Sequence, residues 1–146
     1  EGLALVEQAL RLRRPGPYQV QAAIAAVHAQ ATCAEETDWP QIAALYGLLA
    51  SMKYSPVVEL NHAVAVAMAD GPLAGLALLH SASLAEPLAR YHLYHAARAD
   101  LLRRSGRMDE ALQAYRRASD LCQNAVERAF LTRRSNEVSA NTGPLD

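Results

Sequence analysis

Two histidines are the residues of this sequence that point most directly to chemistry. His92 and His95 lie three positions apart in a stretch with helical spacing, so both imidazoles would lie on one side of a helix. Imidazole is a common zinc ligand, but a zinc site needs three or four ligands, and no third one stands at a suitable spacing nearby. We therefore interpret the pair as the polar lining of a groove or as a source of hydrogen bonds between packed helices. The sequence predicts no metal and no cofactor.

Nucleophilic catalysis has little support in the sequence. A nucleophilic cysteine needs a general base and an oxyanion donor. His28 precedes Cys33, but its spacing is not typical of a catalytic base, and no oxyanion donor is indicated. The glycine-rich motifs that hold nucleotide phosphates and the nucleophile elbow of hydrolases do not occur. We interpret Cys33 and Cys122 as small apolar residues of a protein in a reducing compartment. A disulfide between them is the alternative. The sequence predicts a protein that is not an enzyme.

The charge balance argues against a nucleic-acid or membrane surface. The chain has 14 basic and 15 acidic residues, a net charge of −1. Several arginines flank Gly106, but Asp100 and Asp109 stand among them, which favours a solvated, salt-bridged face over a DNA-binding patch. No apolar run reaches the roughly 20 residues of a membrane span, and no signal peptide is visible. We therefore expect a cytoplasmic protein with no membrane partner.

A second set of candidates consists of polar and amphipathic residues within otherwise apolar helical stretches. Each could be a buried group that a neighbour satisfies, which is the usual case. Together they could line a groove that binds an extended peptide or a linker of a protein partner. The set consists of Tyr18, Gln19, Gln21, Trp39, Tyr46, Asn61, Tyr91, His92, His95 and Arg98.

The spacing of apolar residues predicts an all-α protein of about eight helices joined by short turns. The predicted helices cover residues 3–13, 17–32, 38–52, 55–70, 73–82, 87–104 and 108–122, with a last one from 124. Asp38 and Asn124 are expected to cap the helices that follow them, and Pro87 is expected to open a long helix. The apolar period ends at Ser135, so we predict a single domain over residues 1–134 and a frayed tail over 135–146.

The helices carry the signs of a helical-hairpin repeat. Gly71 and Gly106 are 35 positions apart, close to the tetratricopeptide period of about 34 residues. Gly106 would form the turn between two helices, and Ala111 and Ala118 would be small because paired helices cross closely there. Such hairpins stack side by side and leave a concave surface. A non-repetitive bundle with one such hairpin is the alternative.

Six stretches, which together cover most of residues 3–134, carry a resemblance to a known family. They are GPYQVQAAIAAVHA (16–29), DWPQIAALY (38–46), SPVVELNHAVAVA (55–67), YHLYHAARADLLRRSGR (91–107), EALQAYRRA (110–118) and NAVERAFL (124–131). The chain resembles the C-terminal, tetratricopeptide-like extension of one group of extracytoplasmic-function (ECF) RNA polymerase sigma factors. It departs from that pattern at His62, where the family has Arg, and at Gly47, where it has Asp.

The resemblance implies a regulatory domain without catalytic activity. Because the chain begins at Glu1 rather than Met, we expect it to be a fragment of a longer sigma factor. In such a protein the N-terminal part binds core RNA polymerase and promoter DNA. The extension would contact the sigma core domains, the linker between them, or RNA polymerase, and would reach DNA only through the N-terminal part.

Two other functions stay open from the sequence. The chain could be a generic helical-repeat scaffold or a dimerisation module that has no connection with transcription. A homodimer is one form that such a module could take. It could also be a small-molecule or metal sensor that uses the pair His92 and His95.

Overall fold

The computed structural model describes residues 16–32, 34–53 and 55–141. Eight α-helices and one 3-10 turn, Ala34–Glu36, make up the regular structure of these ranges, which contain no strand. The helices are α1 (Pro17–Gln30), α2 (Trp39–Met52), α3 (Pro56–Asp70), α4 (Pro72–Leu79), α5 (Ala82–Ala85), α6 (His92–Arg104), α7 (Met108–Leu121) and α8 (Ala125–Asn141). The predicted all-α fold of helical hairpins is thereby confirmed. The predicted helix at 3–13 lies outside the described residues.

The chain divides into two compact units, Glu1–Gly71 and Pro72–Asp146. Among the described residues, helices α1 to α3 belong to the first unit and helices α4 to α8 belong to the second. The single domain that the sequence predicts over residues 1–134 stays a prediction.

The first unit is held together by an aliphatic core between its helices. Helix α2 packs against both α1 and α3. The core consists of Val20, Ile24, Val27, Ile42, Leu45, Leu49 and Ala65, all of them buried. These residues recur at spacings of three and four on α1 and α2, which is why the sequence pattern identified both helices. Asp38 caps α2 as predicted, because its side chain accepts a hydrogen bond of 3.2 Å from the backbone N–H of Gln41.

The second unit is organised around the hairpin of α6 and α7, which carries α8 on α7 and α4 on α6. Gly106 has a φ of 81°, in the left-handed region that favours glycine. The backbone N–H of Arg107 donates to the carbonyl of Leu102, and that of Gly106 donates to the carbonyl of Arg103. These two bonds form a Schellman motif, which satisfies carbonyls at the end of α6. The turn predicted at Gly106 is confirmed.

Alanines line the seam between these paired helices. Ala99 on α6 and Ala111 and Ala118 on α7 are each fully buried. A side chain of one carbon lets two helical backbones approach closely, and a larger one would have to displace them. The observed burial therefore agrees with the reason for which the sequence analysis expected small residues there.

The start of α6 differs from the prediction. The helix begins at His92 rather than at Pro87, and Pro87 lies in a turn that follows the four-residue helix α5. Leu84 and Leu88 are buried on either side of this proline, so core packing holds the segment in a turn. Proline suits the first turn of a helix and a tight turn equally well, because both need its fixed φ and neither needs its N–H.

The end of the chain also differs from the prediction. Helix α8 continues to Asn141, so residues 135–141 are helical where a frayed tail was expected. Leu131, Ser135 and Val138 are buried at spacings of four and three and form one continuous face. Because Ser135 is polar, the sequence shows no regular spacing of apolar residues along this face. Residues 142–146 lie outside the described part of the chain.

Candidate interaction groove

An open apolar groove lies between helices α6 and α8 of the second unit. Its volume is about 380 Å³, and it is lined by His92, Leu93, Ala96, Val126, Glu127, Phe130 and Leu131. We call it the α6–α8 groove. Leu93 is 44% exposed, Phe130 51% and Val126 80%, which is unusual for three large apolar side chains in one place. A neighbouring cation covers part of the aromatic wall, because the guanidinium of Arg134 lies 5.4 Å from the centre of the Phe130 ring.

The two walls of the groove are separated in the sequence by the length of one repeat. His92 on α6 and Glu127 on α8 lie 35 residues apart, the same separation as between Gly71 and Gly106. A register of 35 residues thus relates His92, the first residue of α6, to Glu127, the third residue of α8. In stacked hairpins this places the groove on a surface that neighbouring repeats build together.

A polar cluster lies at the edge of the groove, where α6 begins, α7 ends and α8 begins. The Nε2–H of His92 donates a hydrogen bond of 2.9 Å to Oε2 of Glu127. The thiol of Cys122 lies 3.6 Å from the same oxygen and 3.4 Å from the carbonyl oxygen of Asn124. A nitrogen and a sulfur that could bind metal thus both lie close to one carboxylate oxygen.

Two further contacts hold the loop between α7 and α8. The side-chain oxygen of Asn124 accepts hydrogen bonds from the backbone N–H groups of Val126, at 2.9 Å, and Glu127, at 3.1 Å. The cap predicted at Asn124 is thereby confirmed. The guanidinium of Arg128 donates to the carbonyl of Cys122, through Nε at 3.1 Å and also through a second nitrogen. The loop that presents Cys122 and Glu127 is therefore fixed at both ends.

His92 and His95 do not share a ligand site. The Nε2–H of His95 donates a hydrogen bond of 2.7 Å to the carbonyl of Ala89, whereas His92 contacts Glu127. Burial lowers the pKa of His95, an effect that the Ala89 carbonyl opposes and the charges of Arg117 and Arg98 reinforce. The interpretation of these histidines as hydrogen-bonding groups is supported, with His92 also lining the groove.

Arg98, another predicted residue, belongs to a polar network within the second unit. Its Nε–H donates a hydrogen bond of 3.1 Å to Nε2 of His80, which must therefore be unprotonated at that nitrogen. Its guanidinium also lies 4.0 Å from Glu110, which accepts two hydrogen bonds from Arg107. Burial lowers the pKa of His80, and the positive charges of Arg98 and Arg107 add to this effect.

The arginines beside Gly106 are paired with acids, as the sequence predicts. Arg103 and Arg104 both contact Asp100, at 2.7 and 3.0 Å. Arg107 contacts Glu110 at 2.7 Å. Partial exposure limits what each of these pairs contributes to stability.

The predicted residues of the first unit fall into three kinds. Tyr18, at 81% exposed, is a free surface side chain together with the exposed Gln21 and Asn61. Gln19 accepts a hydrogen bond of 3.0 Å from the backbone N–H of Gly16 and so caps α1. The half-buried Trp39 and Tyr46 pack against the core.

The aromatic pair of the first unit has mainly a packing role. Trp39 makes an edge contact with His28, with 5.6 Å between ring centres. Burial raises the pKa of Tyr46. In the second unit, the ring of Tyr91 lies 5.8 Å from that of His92 at the start of α6. Of all the predicted residues, His92 alone lines the α6–α8 groove.

Gly47 and His62 lie against each other in the first unit. A Cβ atom at Gly47 would lie 3.5 Å from Nε2 of His62, an ordinary van der Waals distance. The two positions at which the sequence departs from the pattern it resembles are therefore neighbours within this unit.

Sequence reasoning missed most of the groove. It assigned Val126, Phe130 and Leu131 to a helix, but as ordinary apolar residues, and it did not single out Leu93 or Ala96. A signal was present, because Val126 and Phe130 lie four apart and Leu131 extends the apolar surface beyond one stripe. A helix whose apolar surface is wider than one neighbour can cover leaves part of it open.

Comparison with known proteins gives one relative without an assigned function. An uncharacterized protein of Rhizobium meliloti (strain 1021) is 47% identical to this chain over 140 residues, which are 96% of the chain. The chain spans about a third of that relative, 33% of its length. No protein-family model and no solved structure matches. Among the described helices, none combines the length and the apolar character that crossing a bilayer requires.

Proposed function

We propose that this chain is the regulatory interaction domain of an ECF-type RNA polymerase sigma factor. It acts in the cytoplasm by binding a segment of the sigma core domains or of RNA polymerase, and it catalyses no reaction. The resemblance of the six quoted stretches supplies the identity of the partner. The observation that carries the binding role is the α6–α8 groove with its exposed Leu93, Val126 and Phe130.

The shape of the groove favours a protein segment over a small molecule. A small-molecule pocket encloses 70–90% or more of its ligand, typically within about 300–1,000 Å³. The volume here is within that range, but Leu93, Phe130 and Val126 are between 44% and 80% exposed, so a small ligand would stay largely in water. An amphipathic helix laid along the two helical walls would cover these apolar side chains and leave its polar face in solvent.

The size of the relative is compatible with this role. Because 140 aligned residues are 33% of it, the relative has about 420 residues (140 divided by 0.33). It therefore has room for further domains outside the region that this chain matches. In the proposed function, such domains supply the contacts with promoter DNA and with core polymerase.

Promoter-specific transcription by the full-length factor and core RNA polymerase tests the proposal. Leu93→Asp and Phe130→Asp place a charge in the groove, and we expect each to change transcription severalfold, in the same direction as removal of the whole domain. Leu73→Asp is the matched control, because Leu73 is 67% exposed on α4 of the same unit and does not line the groove. A truncated factor that transcribes as the intact one does would overturn the proposal.

A dimerisation module is the second candidate, because a second copy could also cover Val126 and Phe130. Sedimentation of the isolated chain distinguishes the two functions. A monomer at micromolar concentration supports the proposed function. A dimer that Phe130→Asp dissociates, without any effect of this substitution on transcription, supports the alternative.

A further inference from the structure

The polar cluster at the edge of the groove has the composition of a transition-metal site. A ring nitrogen of His92, Sγ of Cys122 and a carboxylate oxygen of Glu127 all lie within 4.8 Å of one another. A nitrogen, a sulfur and an oxygen ligand are the three donor types that zinc accepts in proteins. Their combination disfavours the hard cations Mg²⁺ and Ca²⁺, which bind oxygen ligands.

Two of the three separations between ligand atoms are close to those of tetrahedral coordination, and the third, between His92 and Cys122, is at most 4.8 Å. Bonds of about 2.0–2.3 Å from zinc to its ligands place neighbouring ligand atoms about 3.3–3.6 Å apart. The separation of 3.6 Å between Cys122 and Glu127 already matches this spacing. The separation of 2.9 Å between His92 and Glu127 would have to open by about 0.4 Å, a change that a partly exposed carboxylate side chain can make.

The surroundings hold two of the three ligands in place. Cys122 is fully buried at the end of α7, and its carbonyl accepts hydrogen bonds from Arg128. Glu127 is in the first turn of α8, whose start is capped by Asn124. Contacts behind the ligands that orient them in this way are typical of metal sites and contribute to affinity.

We propose that His92, Cys122 and Glu127 bind one Zn²⁺ ion, with a fourth coordination position left for water or for a donor from a bound segment. Binding requires the Cys122 thiol to lose its proton, which is released to solvent. His92 must present a lone pair at Nε2, so its remaining proton moves to Nδ1 and its hydrogen bond to Glu127 is replaced by the shared metal. Because His92 and Glu127 also line the α6–α8 groove, the ion would connect the two walls of the groove.

Metal titration of the untagged, metal-free chain tests this proposal. Zn²⁺ added in competition with a chromophoric chelator is expected to bind at one ion per chain. Co²⁺ in its place is expected to give a thiolate-to-metal charge-transfer absorption, which reports the bond to Cys122. We expect His92→Ala, Glu127→Gln and Cys122→Ser each to weaken Zn²⁺ binding by at least about tenfold.

His95→Ala is the matched control, because His95 contacts the carbonyl of Ala89 and is outside the cluster. It should keep the affinity of the wild type. Since Cys122 is buried, the folding of its variant is checked by circular dichroism, and the outcome rests on the His92 and Glu127 variants if that variant unfolds. Binding that neither of those two weakens, or no one-to-one binding at micromolar Zn²⁺, would overturn the proposal. The titration contains no polymerase, so its result is independent of the proposed function.

Discussion

At the scale of single residues, the side chains whose partners are distant in sequence have the most informative roles. Tyr94 is an example, because its buried hydroxyl donates a hydrogen bond of 2.7 Å to the carbonyl of Leu79 on α4. The sequence places Tyr94 within the predicted helix 87–104, but it could not show that the carbonyl of Leu79, at the end of α4, accepts a hydrogen bond from this hydroxyl. The bond ties α4 to α6.

Removal of the Tyr94 hydroxyl should therefore destabilise the protein, because the hydroxyl satisfies a buried carbonyl group. We expect Tyr94→Phe to lower the free energy of unfolding by about 1–2 kcal/mol, because the Leu79 carbonyl is left buried without its donor. Denaturant unfolding measures the change. Tyr91→Phe, at a half-buried position three residues earlier, should stay within about 0.5 kcal/mol of the wild type. Equal effects of the two substitutions would contradict this account.

The two histidines with lowered pKa values predict how stability depends on pH. His80 and His95 each have a lower pKa in the folded protein than in the unfolded chain, so the unfolded chain binds protons more readily. Their contribution is fully present above about pH 6.5, the ordinary pKa of histidine, and is lost as the pH falls through the lower folded values. Protonation of His80 would also remove the acceptor that Arg98 uses.

Unfolding of the wild type and of a His80→Gln, His95→Gln double variant across pH 5–8 tests this expectation. The variant cannot gain these protons, so the wild type should lose stability relative to it as the pH falls below about 6.5. A difference between the two proteins that does not change with pH would show that the histidines do not titrate differently on folding.

Gln41 is a buried residue that the sequence pattern did not identify. It is 4% exposed, and neither its amide nitrogen nor its amide oxygen has a hydrogen-bond partner in the part of the chain that the structure describes. We expect Gln41→Met, a substitution of similar volume, to raise the free energy of unfolding by about 1 kcal/mol. Thermal and denaturant unfolding measure it. A loss of stability would mean that a buried water molecule pairs this amide.

At the scale of the helices, the sequence predicted the caps and turns that depend on neighbouring residues. It did not predict the helix ends that depend on tertiary packing. Asp38, Asn124 and Gly106 act within a few residues of their own position, so their types alone indicated the caps and the turn. The start of α6 and the end of α8 depend on which side chains the core accepts. Ser135 shows the difference, because a polar residue reads as exposed until the fold shows it buried between Leu131 and Val138.

Two glycines of similar appearance in the sequence should respond in opposite ways to substitution by alanine. At Gly106 the φ of 81° strains any side chain, although the added Cβ would have no heavy atom within 4 Å from the described residues other than the glycine itself and its two chain neighbours. We expect Gly106→Ala to destabilise the protein by about 1–2 kcal/mol. At Gly47 within α2, the Cβ would make an ordinary contact with His62, so Gly47→Ala should stabilise the helix by about 0.5–1 kcal/mol. Changes of the same sign in denaturant unfolding would contradict this distinction.

At the scale of the whole molecule, the groove could not be read from the sequence because its walls come from helices one repeat apart. His92 was predicted as a site residue, but with His95 as its neighbour, since helical spacing relates only residues of one helix. The actual neighbours, Glu127 and Cys122, lie 35 and 30 positions further along the chain. The repeat period relates His92 to Glu127, which is 35 residues further along. The sequence alone does not show, however, that the stacking of hairpins brings two such residues into contact.

The central claim is that the α6–α8 groove binds a protein segment of the transcription machinery. A photoreactive amino acid at Val126, which is 80% exposed in the groove, tests it most directly in the full-length factor assembled with core RNA polymerase. The same probe at Leu73 serves as the control. We predict that the probe at Val126 cross-links to one segment of the sigma core domains or of RNA polymerase, identified by mass spectrometry, and that the control does not. Equal labelling from both positions, or cross-links only to a second copy of this domain, would contradict the account.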